Sequence, residues 1–244
     1  IMSRILENKD KIKDIADFSS IIKNQDVIGA HKTIISSKAD TLAALQPLVT
    51  KSRVEKLYAF TISDWKNDKE EVLKEISNKF PEGKIVVRSS AMREDTLDQS
   101  MAGCFESVLN VDSTIREEVE KSIKQVLKSY KLKQAETSFN QVLVQKQTQN
   151  ITMSGVIFTR SLEKNAPYYV INYDDTTGST DSVTAGRENQ MMVIARSTTN
   201  IPEKMQKIVE AVKELEKHIP GIPLDIEFAI SNGEVVIFQV RPLA

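Results

Sequence analysis

The chain has 244 residues, 40% of them apolar and 27% charged, so it can bury a sizeable core and is neither a disordered nor a fibrous protein. Lys+Arg at 33 against Asp+Glu at 34 leaves a net charge of −1, which gives no global footprint for nucleic acid or a membrane surface. No apolar run reaches the ~20 residues needed to span a bilayer, no signal-peptide core opens the chain, and the one cysteine, Cys104, cannot form an internal disulfide. A reducing, cytoplasmic setting with no nucleic-acid or membrane partner is expected. With only His31 and His218, a His-rich metal site is excluded.

In chain order, residues 1–20 place Ile5, Ile12, Ile15 and Phe18 at helix-like spacing. A second helix is predicted over 37–49, with Leu42, Leu45 and Leu48 on one side and Pro47 near its end. Residues 56–63 (KLYAFTIS) read as a strand by their aromatic and β-branched content. Asn67 or Asp68 then caps a helix that Pro81 and Gly83 stop, and KIVVRSS (84–90) reads as a short buried strand ending in polar residues. A strand over 105–111 leads to Thr114 and Glu117, which match a capping box opening a helix. Ile115, Val119, Ile123, Val126, Leu127 and Tyr130 form its apolar stripe. Strands follow at 141–146, 156–159, 168–172 and 190–195. The aperiodic, Gly/Ser/Thr/Asp-rich run 174–187 between the last two reads as a long loop. Pro202 opens a helix, and strands at 224–230 and 235–240 flank Asn232-Gly233, a strong hairpin signal. The order suggests an α+β protein of two subdomains, 1–110 and 111–244.

Nucleotide-binding loops of the G-x-x-x-x-G-K-[ST] and G-x-G-x-x-G kinds are absent, as are C-x-x-C and G-x-S-x-G. Three polar clusters remain, each at a strand end. In the first, Arg88 emerges from a buried strand, suited either to clamp an anion through its planar fork or to pair with Glu94 or Asp95. In the second, Ser100–Ser107 holds small residues whose backbone N–H groups can cradle phosphate oxygens; the same run also serves as an ordinary turn. The third sets Asp225 and Glu227 on one face of a strand, and Gln239 and Arg241 on one face of the next. Their oxygens suit Mg²⁺, while a plain Glu–Arg cross-strand pair satisfies the same pattern.

Taken in order, VRSSA…ED, SMAGCFESVLNV, VLVQKQ…SGVIFTR and PLDIEFAI…FQVRPL resemble the nucleotide-binding domain of the phosphoenolpyruvate synthase and pyruvate phosphate dikinase family, from about Ser36 to Leu243. The resemblance implies an ATP-grasp fold, two α+β subdomains enclosing Mg·ATP. It makes Lys38 the lysine that reaches the triphosphate, although serines stand where glycines usually precede it. It makes Arg88 a phosphate-binding arginine, Gly103 and Ser107 positions of the loop over the phosphates, and Gln145 a residue of the adenine side. Glu227 and Gln239 become ligands of Mg²⁺ and phosphate, and Arg241 the arginine at the γ-phosphate. Arg88 and Arg241 are the expected catalytic residues.

The same resemblance implies a phosphotransferase that passes a phosphoryl or pyrophosphoryl group to a histidine on a separate swivelling domain, and from there to an acceptor. Neither that domain nor an acceptor domain is recognisable in the 244 residues, so the chain reads as a piece of a longer protein. Two departures stand out. Phe158-Thr159-Arg160 continues as Ser161-Leu162 where the family has Asp-Pro, and Thr176–Ser182 replaces a Gly-Leu-Gly-Glu loop. The variant loop is similar to that of capsule-biosynthesis members, including L-glutamine kinase. A non-catalytic ATP sensor and an acceptor-independent ATPase are the competing functions.

Overall fold

In the computed structural model, Ser37 has an extended backbone and its hydroxyl accepts from the Asp40 N–H, which opens helix α1, Lys38–Leu45. The structure describes residues 34–91, 107–132, 137–163, 165–176 and 190–243. All of them lie in the compact unit Ile34–Ala244. The helix expected over 1–20, Gly103, Cys104, His31 and the acidic pair Glu94 and Asp95 fall outside the described residues.

The chain continues through β1 (Leu57–Thr61), α2 (Ile62–Asn67), α3 (Lys69–Lys79), β2 (Lys84–Ser90), β3 (Ser107–Asp112), α4 (Arg116–Leu132) and β4 (Gln141–Lys146). Then come β5 (Ile151–Phe158), β6 (Tyr168–Asp174), β7 (Gln190–Ala195), α5 (Glu203–His218), β8 (Leu224–Ser231) and β9 (Glu234–Pro242). Two antiparallel sheets result, ordered β1-β4-β2-β3 and β7-β6-β5-β8-β9. This is the α+β, two-sheet architecture expected of an ATP-grasp domain. The partition expected at 110/111 runs through β3. The sheets change over between Lys146 and Ile151, because β4 returns to pair with β1 and β2.

Each sheet buries one face under helices. Ile85, Val87, Val142 and Val144 of the first sheet pack with Val72, Leu73 and Ile76 of α3 and Val119, Ile123, Val126 and Tyr130 of α4. Met205, Ile208, Val209, Val212 and Leu215 recur along α5 at helical spacing and cover Ile157, Ile171, Ile226 and Phe228 of the second sheet. That second core also takes in Ala39, Leu42 and Leu45 of α1 and, from the first sheet, Leu57 and Leu143. Leu143 alternates with Val142 and Val144, so the first sheet has one face toward its own helices and the other toward the second core.

Four local expectations are corrected. The strand expected over 56–63 ends at Thr61, because Thr61 and Asp64 form a capping box that starts α2. The box expected of Thr114 and Glu117 does not form. Thr114 donates its hydroxyl to Asp112 at 2.6 Å, and Glu118 accepts from the Asp112 N–H at 3.0 Å. Ile115, expected in the apolar stripe, is 41% exposed. Asp174, expected in a loop, is the buried last residue of β6 and accepts both the N–H and the hydroxyl of Thr176 at 2.8 Å.

Candidate functional site

The inner face of the first sheet is read from its pairing. Ser90 lies opposite Gln141, Arg88 opposite Leu143, and Val86 opposite Gln145, so all six share one face. Arg88 is also opposite Ser107 of β3, and its Nε donates to the Ser107 hydroxyl at 3.4 Å. Two residues along, Ser90 receives the Ala39 N–H at 2.9 Å and donates its hydroxyl to Gln141 at 3.3 Å. Gln141 in turn receives the Ser37 hydroxyl at 2.6 Å and donates to Asp40 at 3.0 Å. This web fixes the first turn of α1, and with it the buried Lys38, to the ends of β2 and β4. Tyr130 completes the support, accepting from the Ser90 N–H at 2.7 Å and donating to the Gln141 carbonyl at 2.8 Å. At the other end of the face, Gln145 is 3% exposed, and its buried Nε2 has no hydrogen-bond partner. A buried amide donor left unmatched costs stability, so it marks a place where a ligand acceptor fits.

In the second sheet, Asp225 lies opposite Arg241, and Glu227 opposite Gln239. A uniform register from the Asn232-Gly233 turn would not do this. Ser231 pairs with Glu234 and Phe228 with Ile237, which would set Glu227 against Phe238. A bulge between Glu227 and Phe228 inserts Phe238 as an extra residue, and Gln239 takes its place opposite Glu227. A shift of one residue exchanges the two faces of a strand, so the bulge brings Gln239 and Arg241 to the side of Glu227 and Asp225. The same face continues through Val156 to Asn172, and through Ser154 to Asp174.

Arg241 and Asp225 form a tight pair. Nε and Nη2 both approach Oδ2, at 2.8 and 2.7 Å, with side chains 15% and 10% exposed. Oδ1 of Asp225 is buried and has no hydrogen-bond partner among the described residues. Burial pushes the Asp225 carboxyl up, the charge and hydrogen bond of Arg241 pull it down, and Glu227 adds to the rise; the net shift is upward. The competing plain reading, a cross-strand pair of Glu227 with Arg241, does not form; Asp225 makes that pair instead.

Glu227 instead meets the first sheet. Its Oε2 lies 3.7 Å from Nη2 of Arg88, with side chains 22% and 19% exposed. The structure therefore brings together Arg88, Ser107, Glu227, Gln239, Asp225 and Arg241, and anchors Lys38 and Gln145 on the inner face of the first sheet. Ser90 and Gln141 were not singled out as supports from sequence, although Ser90 belongs to the VRSSA run; Asp225 was placed in the third cluster but given no role of its own. Chemically, the site offers two guanidinium groups for an anion and a carboxylate beside an amide oxygen for a hard cation. Among the described residues no group of three or more His, Cys, Asp or Glu is placed to hold a metal. A pair of oxygen donors suits Mg²⁺, which keeps waters and phosphate oxygens as its other ligands, and does not suit zinc.

No curated protein matches the chain. Solved structures similar to it include the D-alanine-D-alanine ligase of Helicobacter pylori, 10% identical, with a TM-score of 0.49 over 86% of this chain and 54% of that one. The D-alanyl-alanine synthetase A of Vibrio cholerae is 13% identical, with a TM-score of 0.48 over 84% of this chain and 54% of that one. The N5-carboxyaminoimidazole synthetase of Staphylococcus aureus complexed with ADP is 12% identical, with a TM-score of 0.46 over 85% of this chain and 43% of that one. The chain spans about half the length of the two ligases. Among the described residues no helix is long and apolar enough to cross a membrane. The family described as pyruvate phosphate dikinase, AMP/ATP-binding domain, matches residues 18–195, a span that contains Lys38, Arg88, Gly103, Ser107 and Gln145 and stops short of Glu227, Gln239 and Arg241. The chain belongs to this family of ATP-binding domains.

Proposed function

We propose that the chain binds Mg·ATP between its two sheets and serves as the nucleotide half of a phosphotransferase, handing a phosphoryl or pyrophosphoryl group to a histidine on a separate swivelling domain. The observation that carries this reading is the convergence of Arg88 from β2 on Glu227 from β8, with Gln239 and Arg241 on the same face. Arg88 and Lys38 serve the triphosphate, Arg241 its terminal group, and Gly103 and Ser107 the loop over it. The unmatched Nε2 of Gln145 supports a place for the adenine. Glu227 and Gln239 would hold Mg²⁺, which when bound supplies Lewis-acid neutralisation of phosphate oxygens. The two arginines hold the phosphates in line and stabilise spreading charge, work that asks for position and field and not for a base in this domain.

The final acceptor, a pyruvate-type carbonyl compound or the amide of L-glutamine, lies with the acceptor domain. The altered loop from Thr176 to Ser182 favours the L-glutamine branch and with it capsule biosynthesis, in the cytoplasm.

Calorimetry on the 244-residue chain tests the core of the reading. Mg·ATP should bind, and Arg88→Ala should weaken it by the ~1.5–3 kcal/mol of a charge-assisted contact, about 10- to 150-fold. Unchanged affinity in a folded variant would remove Arg88 from the phosphate site.

A further inference from the structure

Arg88 and Glu227 belong to different sheets and, on the reading above, to different ligands. Arg88 serves the phosphates and Glu227 the metal, yet the two groups face each other at 3.7 Å. Among the described residues, uncharged groups adjoin each of them. Arg88 has the Ser107 hydroxyl and Leu143 beside it, and Glu227 has Gln239 and Val156. Asp225, two residues from Glu227 on the same face, is paired with Arg241 at 2.7 Å. Among the described residues, the pair is an electrostatic link between the two sheets at this point.

Such a link makes the two ligands interdependent. A polyphosphate that takes Arg88 leaves Glu227 facing a second anion. A cation that takes Glu227 leaves Arg88 facing a second cation. Either ligand alone loses the pair and creates a like-charge contact, whereas both together replace one ion pair by two. We propose that the Arg88–Glu227 pair couples metal uptake to nucleotide uptake, each ligand releasing the side chain that receives the other. The inference rests on the assignment of Arg88 to phosphate and Glu227 to Mg²⁺, and adds that each site holds the other in check.

The test is the sign of the effect on metal-free binding. Titrated with ATP in EDTA, Glu227→Gln should bind about threefold more tightly than the unaltered chain, the scale of a partly exposed ion pair. Adding Mg²⁺ should improve ATP affinity at least about tenfold in the unaltered chain and less than about twofold in Glu227→Gln, a coupling of ordinary allosteric size. The reciprocal arm uses Mn²⁺ alone, followed by its paramagnetic signal, and Arg88→Gln should bind it about threefold more tightly. Unchanged metal-free ATP affinity in a folded Glu227→Gln, or a loss in both conditions, would overturn the coupling while leaving Mg·ATP binding intact. Arg88→Gln decides the matter by itself should Glu227→Gln fail to fold. An unaltered chain that binds no Mg·ATP would instead overturn the functional reading itself.

Discussion

Asp225→Asn separates what the Asp225–Arg241 pair does for stability from what it does for the nucleotide. Both Nε and Nη2 of Arg241 point at one carboxylate oxygen, at 2.8 and 2.7 Å, in side chains only 15% and 10% exposed. The amide keeps an oxygen in that place but removes its charge. Charge-assisted hydrogen bonds are worth roughly twice neutral ones, so two bonds each lose about 1 kcal/mol, and the largely buried guanidinium loses the charge of Asp225. A total of about 2–3 kcal/mol is expected, which for a chain of this size lowers the melting temperature by about 5–10 °C. Replacing both partners should behave differently. Desolvating both partners costs about as much as their attraction returns, so a buried pair of this kind gives little net stability. Asp225→Leu/Arg241→Met should accordingly melt within about 3 °C of the unaltered chain. It should nevertheless lose the preference for ATP over ADP, a preference set at about 10- to 150-fold if Arg241 meets the terminal phosphate by one charge-assisted contact. Melting curves give the first comparison and calorimetry with the two nucleotides gives the second. A double variant as unstable as Asp225→Asn would refute the desolvation argument. A retained ATP preference would refute the placement of Arg241 at the terminal phosphate.

Gly155→Ala should destabilise the second sheet by at least about 1–3 kcal/mol in denaturant unfolding, since a Cβ would lie 2.4 Å from the Asn172 carbonyl and 3.0 Å from the Tyr173 Cα; a loss below about 0.5 kcal/mol would show that β5 and β6 separate easily. The Asp112 carboxyl is held at about 2, below its ordinary 3.8, by the Thr114 hydroxyl first, then Lys84 and the Thr114 N–H. A lowered carboxyl stabilises the fold above 3.8 and loses that contribution as pH falls through about 2, so its chemical shift should titrate there and move upward in Thr114→Ala. Titration of Asp112 near its ordinary value in the unaltered chain would count against this turn.

Strands whose hydrophobicity and termini agree were legible in the sequence to the residue. KIVVRSS and QVLVQK, 84–90 and 141–146, are strands over their full lengths. Boundaries failed where two signals competed. Ile62 and Ser63 look like a continuation of β1, but the Thr61–Asp64 capping box turns them into a helix that buries Ile62 and Trp65 against the first core. Strand β5 begins at Ile151, five residues before the expected Val156, because Gly155 reads as a breaker in sequence. In the sheet, glycine is what lets the β6 backbone pass, as the clash a Cβ at 155 would make with the Asn172 carbonyl shows. Asp174 reads as loop by its neighbours and is strand by its burial, with Thr176 folding back to satisfy it.

The candidate site was legible by residue type and less so by arrangement, for two physical reasons. Its inter-sheet contact, Arg88 to Glu227, depends on how two separately hydrogen-bonded sheets approach, and no local pattern carries that information. Its intra-sheet part depends on one residue of register. Alternation alone places Asp225 with Glu227 and Gln239 with Arg241, yet the Asn232-Gly233 turn, taken with uniform pairing, would turn the second pair into the core. The run Val235-Val236-Ile237-Phe238-Gln239-Val240 contains the answer in a form that only the fold decodes. Three consecutive buried apolar residues precede Phe238, which is itself only partly buried, and the polar Gln239 is followed by buried Val240. A regular strand with one wet face would not read that way. Inserting Phe238 as the extra residue lets Val240 stay in the core while Gln239 and Arg241 join the acidic residues of β8. Core burial and site chemistry thus demand the same irregularity, and for that reason the bulge belongs to the site as much as the side chains it aligns.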